Sequence, residues 1–181
     1  MRRISCYLFV FFLFGLDFIA AAWTDAPRLS AVNFLRINKE ICTAGQPSLQ
    51  DLELLKEQGV RSVVNLRRPE EDPEAQAEER KRVEELGMNY FLVPVDPSNP
   101  RPEQAEAFLK ILENEENRPL FIHCRSASRV GAFWLIHRVL HDGWDCSRAE
   151  QEARQVGLNR PDLADFAIKY IQKVKPQACV Q

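Results

Sequence analysis

The stretch "FIHCRSASRVGAFW", residues 121–134, joins an apolar run that ends at His123-Cys124 to a polar turn and then to a helical pattern starting at Arg129. Read as strand, turn and helix, it delivers Cys124 to the start of a helix. A cysteine there meets unpaired backbone N–H groups and the positive end of the helix dipole. Its thiolate is favoured, since such surroundings lower a thiol pKa from about 8.5 to between roughly 3.5 and 7.5. The same N–H groups can wrap an oxyanion, and Arg129 can donate two parallel hydrogen bonds to it. Arg125, Ser126 and Ser128 lie in the same turn, and Ala127 and Val130 complete the residues expected around a bound anion. A cysteine at a strand end can also be plain core. Two arginines and two serines between positions 125 and 129 make a poor core segment, which favours an anion-binding loop.

Outward from the loop, short apolar runs alternate with longer helical patterns. Residues 33–43 read as a hairpin or two short strands; "RSVVNL" at 61–66, "NYFLVPV" at 89–95 and "PLFIHC" at 119–124 read as strands. Ser48 caps a helix that runs to Glu57 and stops before Gly59. Residues 73–87 form a charged helix whose Glu, Arg and Lys side chains read as a solvated face. Pro102 opens a helix with Ala105, Phe108, Leu109 and Leu112 on one face. Further helices cover 129–141, 147–156 and 162–174. The order predicts an α/β fold, a mainly parallel central sheet flanked by helices, with its ligand site at the carboxyl ends of the strands.

The amino end reads as a secretory signal over residues 1–22: Met1-Arg2-Arg3, an apolar run from Ile4, and small residues Ala20-Ala21-Ala22. Residues 23–181 then form a single domain, periplasmic or secreted, with no stable membrane span after cleavage. Asp17 within the run opposes a permanent anchor, because a carboxylate at mid-bilayer is costly. Cleavage removes Arg2, Arg3 and Asp17 and leaves 22 basic against 25 acidic side chains, which gives no case for nucleic-acid binding. Four cysteines remain, Cys42, Cys124, Cys146 and Cys179, at spacings that match no zinc pattern. His137 and His141 stand one helical turn apart without a third ligand, so no metal and no cofactor are expected.

His123-Cys124 followed by Arg129-Val130-Gly131-Ala132-Phe133 resembles the signature of the protein-tyrosine and dual-specificity phosphatase superfamily. More closely, it resembles the bacterial branch that includes the beta-lactamase-hydrolase-associated phosphatase-like domain. The likeness extends through "AGQPS" at 44–48, "VVNLR" at 63–67 and "YFLVPVD" at 90–96, covering about Asn33 to Leu158. It implies a cysteine-dependent phosphatase acting on a phosphorylated substrate of unknown class, with Cys124 as nucleophile, Arg129 as oxyanion binder and Asp96 in "PVDPSNP" as general acid. It also implies that His123 braces the loop from the opposite face of the strand. Asp96 equally suits a turn before Pro97, and Gln46 reads as a turn and strand-end hydrogen bonder.

Three departures matter. Four residues separate Cys124 from Arg129 where the superfamily has five, a loop length shared with rhodanese-like sulfurtransferases. Val130 stands where tyrosine phosphatases carry Ser or Thr, leaving Ser126 or Ser128 to help the cysteine depart. Ala127 replaces glycine, at a cost on the order of 1 kcal/mol if φ is positive there. The flanking "GQP" and "NLR" motifs favour the phosphatase. A sulfurtransferase and a weakly catalytic, anion-binding pseudophosphatase are the alternatives. In an oxidising compartment a Cys146–Cys179 disulfide would tie down the carboxyl tail and leave Cys124 free. The rival pairing is Cys42 with Cys124.

Overall fold

The computed structural model describes residues 29–179. The signal expected over residues 1–22 lies outside the described residues. A five-stranded sheet runs in the order β1-β2-β5-β3-β4. Its strands are β1 (Leu35–Arg36), β2 (Ile41–Ala44), β3 (Ser62–Asn65), β4 (Asn89–Leu92) and β5 (Leu120–His123). Only the β1–β2 pairing is antiparallel, a hairpin closed where the Asn38 side chain accepts from the Glu40 and Ile41 backbone N–H groups. The mainly parallel sheet expected from the alternation of runs is therefore present.

Side chains alternate across each strand, so one face carries Cys42, Val63 and Phe121 and the other carries Ile41, Val64 and Ile122. The first face is covered by α1 (Leu49–Glu57) and α2 (Pro73–Glu85) through Leu52, Leu55 and Val83. The second carries the larger core, built with α3 (Pro102–Glu113), α4 (Ser128–Leu140), α5 (Cys146–Val156) and α6 (Pro161–Val174). Leu163, Ala167, Tyr170 and Ile171 recur at helical spacing on α6 and are all buried. Fully burying one such aliphatic or aromatic side chain contributes about 1.5–3 kcal/mol.

The period decides where each helix lies, and local chemistry decides where it begins. Ser48 caps α1 and closes a capping box with Asp51. Pro73, Pro102 and Pro161 each stand in a first turn, where their missing N–H is no loss. Helix α4 differs, because it has neither a first-turn proline nor a side-chain hydrogen bond from its N-cap residue Ala127. Its first backbone N–H groups are therefore left without a side-chain cap. Gly131 lets α4 approach α5, since a Cβ there would stand 2.6 Å from the Ala153 carbonyl oxygen.

The charged helix α2 departs from the expectation of a solvated face. Gln76, Glu79 and Val83 recur along its inner side and are buried, Glu79 beside His123. Ion pairs such as Arg80–Glu84 occupy the outer side.

Candidate active site

Cys124 leaves β5 on the α4 side of the sheet and is 1% exposed. The chain then turns through Arg125 and Ser126 to Ala127, whose φ of 66° and ψ of −1° place it in the left-handed region. That conformation costs an alanine on the order of 1 kcal/mol, and it turns the backbone sharply enough to bring the α4 amino end over the cysteine. Gly157, at φ 134°, backs the turn. A Cβ at 157 would stand 2.9 Å from the Ala127 Cβ and 3.2 Å from the Ser126 carbonyl oxygen.

Arg129 lies in the first turn of α4 and is 5% exposed. Glu71 grips its end with both carboxylate oxygens, Nη2 to Oε2 at 2.9 Å and Nη1 to Oε1, while Nη1 also donates to the Val95 carbonyl at 3.0 Å. These contacts use both Nη1 hydrogens and one of Nη2. The Nε–H and the second Nη2–H, which form the side edge of the guanidinium, remain for another acceptor. Burial works against the charge on Arg129, yet the bonds to Glu71 and the neighbouring Cys124 raise its pKa. Burial alone would raise the Glu71 carboxyl. Hydrogen bonds from Arg129 and the Arg68 backbone, with the charges of Arg129 and Arg67, instead hold it at about 2.

Cys124, Arg125, Ser126, Ser128 and Arg129 open together on a cavity of about 220 Å³. Arg68 and Arg160 add cations to its wall, and Glu71 is the acidic residue lining it. A small, cation-rich hollow over a cysteine suits a compact anion. Two expected residues do not line it. Ala127 and Val130 are fully buried, and Val130 belongs to the core because its position on α4 faces the sheet. Their side chains shape the loop rather than the cavity. The Ser128 hydroxyl accepts from the Asn159 N–H at 3.4 Å, which ties the loop to the α5–α6 connection.

Asp96 stands at the rim, outside the lining residues. One oxygen accepts from the Ser98 backbone N–H at 2.9 Å, the turn-forming bond expected before Pro97, and the other lies 3.4 Å from Arg68 Nη1. Its side chain is 40% exposed. Pro97 lines the cavity beside it.

On the other face of the sheet, His123 is fully buried and Nε2 sits 2.9 Å from Glu79 Oε1. Burial would raise the Glu79 carboxyl, but the His123 ring and hydrogen bonds from Gln46 and Tyr90 bring it below its ordinary value. Gln46 does more than the turn bond expected of it. It bonds the Pro47 carbonyl, donates to Glu79, and accepts from Arg67 Nη1 at 2.6 Å. Arg67 continues to Glu71 at 3.4 Å, so a polar chain leads from His123 beneath the loop to the carboxylate that grips Arg129. Asn65 joins it through Glu79 and Tyr90.

Glu71, Arg68, Arg160 and Glu79 were not singled out by the sequence. Glu71 and Glu79 sit in a charge-dense segment, and their partners are 58 and 44 positions away. Among the described residues, no three His, Cys, Asp or Glu side chains converge to hold a metal ion. His137 is pushed down to about 4 by burial, and His141 pairs with Glu113.

Cys146 and Cys179 form a disulfide with a Cα separation of 5.0 Å. Cys42 and Cys124 are free and buried. Because Cys42 packs with the α1–α2 layer and Cys124 with the α4 layer, the sheet stands between them. Burial pushes the Cys42 thiol up to about 11.

A family model described as DSP-PTPase phosphatase fused to NAD+ kinase matches residues 29–167. A beta-lactamase hydrolase-like protein of Agrobacterium fabrum is 29% identical over 134 residues, 73% of this chain and 28% of that protein. This chain thus spans under a third of that relative. The dual specificity protein phosphatase TpbA of Pseudomonas aeruginosa is 23% identical over 162 residues, 84% of this chain and 71% of TpbA. The core catalytic domain of the PP-IP phosphatase SIW14 of S. cerevisiae shares the fold at a TM-score of 0.67 and 22% identity, over 81% of this chain and 90% of that one. The family match takes in β5, the cysteine loop and every residue lining the cavity, and on that ground the chain belongs to the DSP-PTPase phosphatase family described as fused to NAD+ kinase.

Proposed function

We propose that the protein is an exported phosphatase that hydrolyses phosphomonoesters through a phosphocysteine on Cys124. That it is a phosphatase of the dual-specificity type follows from its family. The observation that carries the mechanism is the free side edge of Arg129, held by Glu71 and Val95 beside Cys124 and the uncapped start of α4. A phosphoryl group can accept from that edge in bidentate fashion and from the loop N–H groups, with its phosphorus over the sulfur.

The Cys124 thiolate attacks phosphorus, the P–O bond to the leaving group breaks, and the leaving oxygen takes a proton. Asp96 supplies that proton once it releases Arg68 and turns inward; from its present place at the rim it serves poorly. Water then attacks the phosphocysteine, the P–S bond breaks, the thiolate is restored and phosphate departs. Val130 gives the departing sulfur no hydroxyl directly after Arg129 and leaves only the Ser126 and Ser128 O–H groups of the cavity wall to donate to it, so this second step is the slow one in this reading. The substrate is a phosphorylated molecule, with no role for nucleic acid, a stable membrane span, a metal or a cofactor.

Export is supported by the Cys146–Cys179 disulfide, since such bonds persist in oxidising compartments, together with the apolar run after Arg3. The test of activity pairs two assays on one preparation, p-nitrophenyl phosphate hydrolysis and sulfur transfer from thiosulfate to cyanide. Phosphate release without thiocyanate is expected. Thiocyanate formation without phosphate release would instead establish the sulfurtransferase.

A further inference from the structure

Two carbonyl groups of the cysteine loop are held from outside the cavity. The Arg125 carbonyl accepts from the Gln46 backbone N–H at 3.2 Å, and the Ser126 carbonyl accepts from Asn33 Nδ2 at 3.0 Å. Neither donor lines the cavity. In a trans peptide the C=O and the following N–H point in opposite directions. Anchoring these two carbonyls outward therefore turns the N–H groups of Ser126 and Ala127 the other way, toward the hollow over Cys124.

The two anchors are tied to each other. The Gly45 N–H donates to the Val32 carbonyl at 2.7 Å, which joins the segment before β1 to the segment after β2. A Cβ at Gly45 would stand 2.6 Å from Val32 Cγ2 and 2.9 Å from the Arg125 carbonyl oxygen, so the approach of this backbone to the loop needs a glycine. Asn33 has a φ of 54°, a conformation that asparagine tolerates better than most residues. Among the described residues, its side-chain amide is the one hydrogen-bond donor to the Ser126 carbonyl, ninety-three positions along the chain.

We infer that Asn33 is a positioning residue for catalysis, which aims the Ala127 N–H at the transferring phosphoryl group by holding the Ser126 carbonyl outward. The inference rests on reading the loop as an oxyanion cradle. Asn33 touches no reacting atom. Its effect is greatest where negative charge spreads over the equatorial oxygens, and smaller for a ground-state phosphate.

The test uses Asn33→Gly, which keeps the positive φ and removes only the amide, in the full chain. Inhibition by orthovanadate, a mimic of the five-coordinate state, is compared with inhibition by inorganic phosphate, alongside kcat/KM for p-nitrophenyl phosphate and the melting temperature. Removing a whole oxyanion donor costs about a hundredfold or more, so a misaimed one should weaken vanadate inhibition about tenfold. A matching fall in kcat/KM is expected, with a smaller change for phosphate. Gly45→Ala, which displaces the Arg125 carbonyl, should shift vanadate and phosphate in the same unequal way. Vanadate inhibition of Asn33→Gly equal to that of the native protein overturns the inference, as does an equal weakening for vanadate and phosphate. A native protein that neither binds vanadate nor hydrolyses the ester overturns the phosphatase mechanism itself, and the role of Asn33 with it.

Discussion

Arg129 is a long side chain whose freedom has been removed before any substrate arrives. Glu71 and the Val95 carbonyl fix three of its hydrogens, so the remaining edge is presented in one orientation. Replacing Arg129 by lysine keeps the charge but loses both the fork and the fit to Glu71. Arg129→Lys should therefore lower kcat/KM for p-nitrophenyl phosphate by two orders of magnitude or more, read by steady-state kinetics. At the rim, Asp96→Asn distinguishes a proton donor from a turn former. Hydrolysis of a phenyl phosphate with a poor leaving group should fall more than that of p-nitrophenyl phosphate. Equal losses on the two esters would leave Asp96 as a turn former alone.

At the scale of elements, the site is made by β5 ending where α4 begins, and by the 3-10 turn Pro69–Glu71 reaching across to α4. Cutting that bridge with Glu71→Gln leaves a neutral partner for Arg129 and opens the clamp. The expected result is a tenfold or larger fall in kcat with the fold retained, checked by kinetics beside circular dichroism. The strand, the cysteine and the following helix were legible in the sequence because a change of hydrophobic period is a local signal, as was the cation-rich character of the loop; the positive φ that the sequence left conditional at Ala127 is present at 66°. The clamp was not. Glu71 and Glu79 belong to a run of alternating charges, and a buried carboxylate in such a run differs from its solvated neighbours only through distant partners. Val130 shows the converse: proximity to Arg129 in sequence suggested the site, while helical rotation carries its side chain into the core.

Across the whole molecule, electrostatics and covalent staples set the conditions under which the site exists. The Glu71 carboxyl ordinarily titrates near 4.5 and is held at about 2 in the fold. A lowered acid pKa stabilises the folded state above the ordinary value, and that contribution is lost as pH falls from about 4.5 through about 2. Thermal unfolding across this range should show a smaller loss of stability in Glu71→Gln than in the native protein. The Cys146–Cys179 bond joins the start of α5 to the tail beyond α6. Its reduction should raise hydrogen exchange in the last turns of α6 and the tail first, leaving β5 protected.

The covalent intermediate is the point on which the mechanism stands. Protein mixed with p-nitrophenyl phosphate and acid-quenched within the first turnovers should carry one added phosphoryl group by intact mass, mapped to the peptide containing Cys124 and missing from Cys124→Ser. Because the second step is the slow one, the adduct should accumulate to a large fraction of the enzyme, with a burst of p-nitrophenol to match. Sustained hydrolysis with no adduct on Cys124, or undiminished turnover in Cys124→Ser, would contradict the mechanism.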